Sequence, residues 1–376
     1  MNNISFNVPQ VVNDEKDKIK KLSNLKHFSS NGHFTKLCQQ WLIKNIKCKE
    51  ALLVNSCTAA LEICAILLDI KKGDEIIMPS YTFVSTANAF VLRGGKPIFT
   101  DIDPKTLNID PNKIKKAITK KTRAIVVVHY AGVSCDMDPI LEIAKKYKII
   151  VIEDGAQAIL SSYKGKSLGS IGDLATLSFH DSKNIHCGEG GALLINNKIF
   201  IRRAKIIRDK GTNRDDFNNN IVKKYTWIDI GSSYGLSEIN AAFLYAQLLK
   251  AKSIIKKRIK IWNYYHHLFK TLEKEKKILR PQIPIYAKNN AHIYYLILKK
   301  NLRDKLIKYL KSQNIIALFH YIPLHTSPFY KKNYKTKNII INTDLISKRI
   351  IRLPIYPSLT KKEIIRIKNI IFNFFK

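Results

Sequence analysis

The sequence is poor in acid. Its 29 Asp and Glu stand against 65 Lys and Arg, a formal net charge of +36. Such a surplus invites a nucleic-acid reading, yet the lysines run along the whole length and gather in no basic tail or aromatic-interleaved face. Lys, Ile and Asn fill exposed and interchangeable positions alike, as compositional drift would produce, so no nucleic-acid partner is expected. A basic surface would still favour the approach of an anionic ligand. Paired cysteines are lacking too. Cys38, Cys48, Cys57, Cys64, Cys135 and Cys187 form no C-x-x-C pair and no metal-ligand spacing with histidine; no metal is expected, and the thiols read as reduced and mostly buried in a cytosolic protein. No apolar run approaches the roughly 20 residues that span a bilayer. Met1-Asn-Asn-Ile-Ser-Phe-Asn-Val-Pro9 has no charged region leading into an apolar core. Neither membrane insertion nor secretion is expected, and the expected compartment is the cytoplasm. No internal repeat is found.

What is present is enough for a large core. At 376 residues and 45% hydrophobic, the chain supports one big domain with a smaller one attached. Ala51-Leu-Leu-Val54, Glu75-Ile-Ile-Met78, Lys96-Pro-Ile-Phe-Thr100, Arg123-Ala-Ile-Val-Val-Val128 and Tyr147-Lys-Ile-Ile-Val-Ile152 read as strands, with helical patterns between them. That alternation predicts an α/β fold with a mainly parallel sheet covered on both faces. A clean helix over 238–250 is followed by a basic amphipathic one over 254–269, read as a solvated bridge between domains rather than a membrane-surface helix. The boundary is therefore set at 250/251. Residues 1–250 form the large domain and 251–376 a small α+β domain, built on Ala291-His-Ile-Tyr-Tyr-Leu-Ile-Leu298 and closed by Arg352-Leu-Pro-Ile-Tyr-Pro357.

One lysine stands apart from the other cations. In Leu177-Ser-Phe-His-Asp-Ser-Lys-Asn-Ile-His-Cys-Gly-Glu-Gly-Gly191, Lys183 occupies a short polar connection between two strand-like runs, where it faces a cleft. Upstream, a buried strand ends in Glu153-Asp154-Gly155 and delivers a carboxylate to the sheet's C-terminal edge, where open α/β folds place ligands; the same Asp154 fits a helix cap. Together, an amine and a carboxylate suit pyridoxal phosphate, whose aldehyde is held by lysine and whose ring nitrogen is kept protonated by an acid. Asn55-Ser-Cys-Thr58 leads a strand into a helix N-terminus, which is either an anion site or an ordinary cap.

Ile152-Glu-Asp-Gly-Ala-Gln157, Ser178-Phe-His-Asp-Ser-Lys183 and Gly188-Glu-Gly-Gly191 resemble the signature blocks of the DegT/DnrJ/EryC1/StrS sugar aminotransferases. More narrowly, Ser56-Cys-Thr58, Arg208-Asp-Lys-Gly-Thr-Asn-Arg214 and Lys224-Tyr-Thr-Trp-Ile-Asp-Ile-Gly-Ser-Ser-Tyr234 are similar to the dTDP-4-amino-4,6-dideoxygalactose transaminases of enterobacterial common antigen synthesis. The resemblance implies a pyridoxal-phosphate fold of type I, like aspartate aminotransferase, in a homodimer with composite active sites. It implies L-glutamate as amino donor and dTDP-4-keto-6-deoxyglucose as acceptor.

Residue by residue, it makes Lys183 the anchor and acid/base and Asp154 the ring-nitrogen partner. Gln157 and Phe83 would contact the cofactor ring. Ser178, with Cys57 and Thr58, would cradle the phosphate, and Ser232 and Ser233 would reach a neighbouring cofactor across the dimer. Lys210 and Arg214 would meet the nucleotide diphosphate, and the segment of His320, Tyr321 and His325 would face the substrate. His180 is a weaker catalytic candidate, since Lys183 already supplies the base. Three competitors remain: the dehydratase branch, which carries histidine in place of the anchoring lysine; a UDP-linked or other keto-sugar; and a cofactor-binding regulator without turnover.

Overall fold

The structure, a computed structural model, describes residues 3–335 and 338–376; Met1 and Asn2, where the search for a leader began, lie outside the described residues. Seven strands build the main sheet: β1 (Glu50–Val54), β2 (Glu75–Pro79), β3 (Lys96–Thr100), β4 (Thr122–Val128), β5 (Ile150–Asp154), β6 (Leu174–Ser178) and β7 (Gly191–Ile195). Their order is β1-β7-β6-β5-β4-β2-β3. Neighbours from β6 through β5, β4 and β2 to β3 run parallel. Only β7 is reversed, pairing antiparallel with both β6 and β1.

Side chains alternate across this sheet with period two, and both faces are covered, as apolar β-branched runs require. Ile76, Met78, Val126, Ile152, Leu193 and Ile195 pack on one face with the helix Cys57–Leu67. Ile77, Ile125, Val127 and Val151 pack on the other, where Ala192 and Leu194 join a neighbouring cluster with the helix His33–Ile46.

Near the C-terminus, Ile278–Leu279, Tyr294–Leu298 and Ile350–Leu353 form a three-stranded antiparallel sheet with a core of its own that includes Tyr265, Leu296 and Ile367. Two expectations differ here. The helices read on either side of Ala251 are one helix of 31 residues, Glu238–Leu268. Its second half is embedded rather than solvated, because Ile254, Ile255, Arg258, Ile261, Trp262 and Tyr265 are all buried. The N-terminal segment also crosses over. Ile4 bridges to Ile315, exchanging backbone hydrogen bonds with residues 314 and 316, and packs in the C-terminal core. That crossing brings Phe6 and Asn7 to the central cavity.

Candidate active site

At the C-terminal ends of β5 and β6 lies a cavity of about 600 Å3. Strand ends converge there because parallel neighbours share one direction, so their C-termini open on the same edge of the sheet. Asp154 is the last residue of β5 and is buried. Its Oδ2 accepts the Thr86 hydroxyl at 2.7 Å and its Oδ1 the Ala156 N–H at 3.1 Å. Thr86 is held in turn by Thr82 at 2.8 Å. The carboxylate is thus fixed in direction, with its edge open to the cavity.

Lys183 stands on the loop 179–190 that joins β6 to its antiparallel neighbour β7 and lines the same cavity. Burial pushes its amine below the ordinary lysine range; the Asp154 carboxylate opposes that shift and Arg352 reinforces it. The loop is clamped from the C-terminal side. Asn184 donates to the Asn290 carbonyl at 2.9 Å and meets His292 Nδ1 at 3.2 Å, while Asn290 donates to the carbonyls of Gln157 and Ile159.

The end of the cavity lined by Ser56, Cys57 and Ser178 is built by close backbone approach. Ser56 caps the helix Cys57–Leu67, its hydroxyl accepting the Ala59 N–H at 3.0 Å. Gly191, opposite Ser178 in the β6–β7 pair, packs so tightly on this turn that a Cβ would lie 2.4 Å from the Ser56 carbonyl carbon. Ser178 therefore sits beside a helix N-terminus, where free N–H groups and the dipole favour an anion. Of the two readings of this turn, capping describes what the Ser56 side chain does. Thr58 instead donates to Ser85 at 2.8 Å, and the Cys57 thiol donates to Thr176 at 3.4 Å. Burial pushes the Cys57 thiol up to about 12, so it is neutral here.

Ten of the residues read from the sequence line this one cavity: Lys183, Asp154, Gln157, Ser178, Cys57, Thr58, Phe83, His180, His320 and Tyr321. Gln157 accepts the Ala131 N–H at 2.7 Å and donates to the Tyr321 hydroxyl at 2.7 Å. His320 stacks on Tyr321 at 3.8 Å and contacts the Tyr130 hydroxyl at 2.6 Å. Burial holds its imidazole well below the usual range and therefore neutral. His180 is half-exposed and tied to Ser182, Asp181 and Glu189.

The other five lie outside this cavity on the chain's own surface or flank. Lys210 pairs with Asp209 at 3.1 Å, and Arg214 stacks over Tyr225 at 5.9 Å. Ser232 and Ser233 are exposed, and the Ser233 carbonyl accepts from Asn55 at 3.4 Å. His325 is a latch between segments, bonded to Ser80 at 2.7 Å and Asp344 at 3.2 Å.

Sequence reasoning missed Thr86, Asn184, Asn290, Arg258 and Arg352. None has a local signature. Thr86 is an ordinary helix residue until packing places it against Asp154, and the two arginines are hidden among 65 cations.

A fit to pyridoxal phosphate follows from the donor set: a buried amine, a fixed buried carboxylate and a helix N-terminus beside a hydroxyl share one cavity. Among the described residues, no cluster of His, Cys, Asp or Glu is arranged to hold a metal ion, and no helix is long and apolar enough to cross a membrane.

Comparison with known proteins points the same way. The model of the DegT/DnrJ/EryC1/StrS aminotransferase family matches residues 9–372. The uncharacterized protein MJ1066 of Methanocaldococcus jannaschii is 40% identical over 329 residues, covering 85% of this chain and 84% of its own length. The spore coat polysaccharide biosynthesis protein SpsC of Bacillus subtilis is 34% identical over 325 residues, covering 84% of this chain and 83% of its own. Among solved structures, Helicobacter pylori PseC, an aminotransferase involved in the biosynthesis of pseudoaminic acid, superposes with a TM-score of 0.91 at 25% identity, covering 100% of this chain and 99% of that one.

Proposed function

The chain belongs to the DegT/DnrJ/EryC1/StrS aminotransferase family, and on that premise we propose that it moves an amino group from L-glutamate to the 4-keto carbon of dTDP-4-keto-6-deoxyglucose, giving dTDP-4-amino-4,6-dideoxygalactose. It is a pyridoxal-phosphate-dependent sugar aminotransferase with the fold of that enzyme class. The observation that carries the reading is the convergence of Lys183 and Asp154 on one cavity from different strand ends.

Bound there, pyridoxal phosphate supplies an electron sink that labilises the C–H bond next to an amine. The chain supplies the rest. Lys183 would hold the cofactor's aldehyde carbon; once the donor's amine has displaced it there, its own amine, depressed by burial, would take the proton from the donor Cα and return one to sugar C4. Asp154, fixed by Thr86, keeps the ring nitrogen protonated. The helix N-terminus at Cys57 and Thr58, with Ser178, takes the phosphate, and Gln157, Phe83 and Tyr321 wall the ring. Neutral His320 faces the sugar as a hydrogen-bonding group without adding charge.

Support for a nucleotide-linked sugar comes from the narrower sequence blocks and from the net charge of +36, which favours an anionic substrate. Support for a homodimer comes from the segment carrying Ile221, Trp227 and Ile230, of which Trp227 is 77% exposed; a second copy would cover it. Lys210, Arg214, Ser232 and Ser233 lie on or next to that segment and would serve the partner's cavity. The six cysteines are unpaired, which suits a cytoplasmic enzyme.

Purified protein incubated with L-glutamate and a panel of dTDP- and UDP-linked keto-sugars, with products resolved by NMR, should yield the axial 4-amino product from the dTDP substrate. Amination of only a UDP-sugar would overturn the proposed substrate, and amination of none would overturn the proposed reaction.

A further inference from the structure

Two arginines that no motif announced share the cavity with Lys183. Arg258 comes from the middle of the long helix Glu238–Leu268 and is only 3% exposed. Its Nε donates to the Ala291 carbonyl at 3.1 Å and its Nη2 to the His292 carbonyl at 2.7 Å. Both bonds orient the guanidinium without neutralising it, and Nη1 is left over. Arg352, on the strand Ile350–Leu353, donates through Nε and Nη2 to the Phe319 carbonyl at 3.2 and 3.0 Å and lies over the Phe6 ring at 4.8 Å. Among the described residues, neither arginine pairs with a carboxylate.

Burial of a cation without a counter-charge is costly, so an arginine held this way by neutral carbonyls awaits an anion. Burial depresses Arg258 to about 9, with no neighbouring acid to offset it. Burial, with the charges of Lys183, Arg258 and Arg352 in support, holds the nearby His292 imidazole neutral.

Resting on the proposed aminotransferase reading, we propose that Arg258 and Arg352 form the subsite for a carboxylate of the amino donor. The planar fork of arginine matches a carboxylate in two hydrogen bonds. A donor held there shares the cavity with Lys183. The competing anion, the diphosphate of the nucleotide, is bulky and carries a nucleoside, whereas Arg258, only 3% exposed, offers its fork to a small group. A cavity of about 600 Å3 already shared with the cofactor leaves room at Arg258 for a small ligand.

The test uses the cofactor-loaded enzyme and two unreactive probes, glutarate and inorganic pyrophosphate, with affinities measured by titration calorimetry, together with the KM values for L-glutamate and for the sugar nucleotide. Arg352→Gln, at a half-buried position, and Arg258→Lys, which keeps the charge and removes the fork, should each weaken glutarate at least tenfold and raise the L-glutamate KM to match. The sugar-nucleotide KM and pyrophosphate affinity should stay within twofold. Unchanged glutarate affinity in the folded variants overturns the proposal, and so does a loss that falls on pyrophosphate and the sugar nucleotide. Because glutarate binding is read without turnover, failure of the keto-sugar assignment leaves this outcome legible. If circular dichroism shows Arg258→Lys to be unfolded, Arg352→Gln decides alone.

Discussion

The Nε2 of Gln157 donates to the Tyr321 hydroxyl at 2.7 Å across 164 positions of sequence. This bond ties the turn after β5 to the segment around His320 and Tyr321 on the far side of the cavity. The Gln157 Oε1 is occupied by the Ala131 N–H, so the amide has one orientation, and Tyr321 is placed by it beside Phe83 at 6.4 Å. Tyr321→Phe should leave one amide hydrogen unpaired and cost about 1–2 kcal/mol in urea unfolding. It should raise the sugar-nucleotide KM more than it lowers the rate of the glutamate half-reaction. Equal effects on both would mean the bond positions nothing.

Lys183→Ala removes the anchoring amine and the acid/base together. Turnover should fall below detection and the purified protein should lack the visible absorbance of bound cofactor. Asp154→Ala should retain part of the cofactor but lose at least about 100-fold in kcat, because the ring nitrogen is no longer held protonated. Normal turnover in Lys183→Ala would sink the assignment.

Gly191→Ala tests the cradle. The added methyl would meet the backbone carbon of Ser56 at 2.4 Å and the nitrogen of Cys57 at 2.5 Å, neither of which is a flexible side-chain end. The turn or β7 must shift, so a stability loss of about 2 kcal/mol or more is expected, with weaker cofactor binding measured by fluorescence. A neutral result would show that the turn yields freely.

Glu153, one residue before Asp154, is fully buried and accepts four donors: His129 Nε2 at 3.0 Å and the N–H groups of Gly169, Ile171 and Gly172 at 2.7–2.8 Å. The His129 Nδ1 also meets the Cys135 N–H at 3.2 Å, which turns Nε2 toward the carboxylate. Burial alone would raise the Glu153 pKa; the hydrogen bonds from His129 and the backbone outweigh it and hold it below its ordinary value of 4.5. A depressed folded value means stabilisation that is present above 4.5 and lost as pH falls through the folded value. Urea midpoints should therefore drop on acidification below that pH in the wild type, while Glu153→Gln should start lower at neutral pH and change less. Parallel profiles would contradict this.

Trp227→Glu should weaken the proposed dimer. Sedimentation should show a shift toward monomer and activity should fall with dilution; an unchanged species at all concentrations would place the interface elsewhere.

By itself the sequence determined the strands, the helix turn at Ser56 and the two groups at the centre, because these are local. An apolar run of one period ending in Asp154, and a polar connection holding Lys183, can be read without knowing what they touch. It also suggested a break near Ala251, where composition turns Lys- and Ile-rich, but helix propagation is indifferent to that change and Glu238–Leu268 continues through it. Tertiary structure alone decided that Ile4 belongs to the C-terminal core, that Thr86 orients Asp154, and that Arg258 is buried where it lines one cavity with Arg352. Whether one arginine among 65 basic residues is solvated or buried depends on which distant backbone packs over it, and no local pattern of residues encodes that.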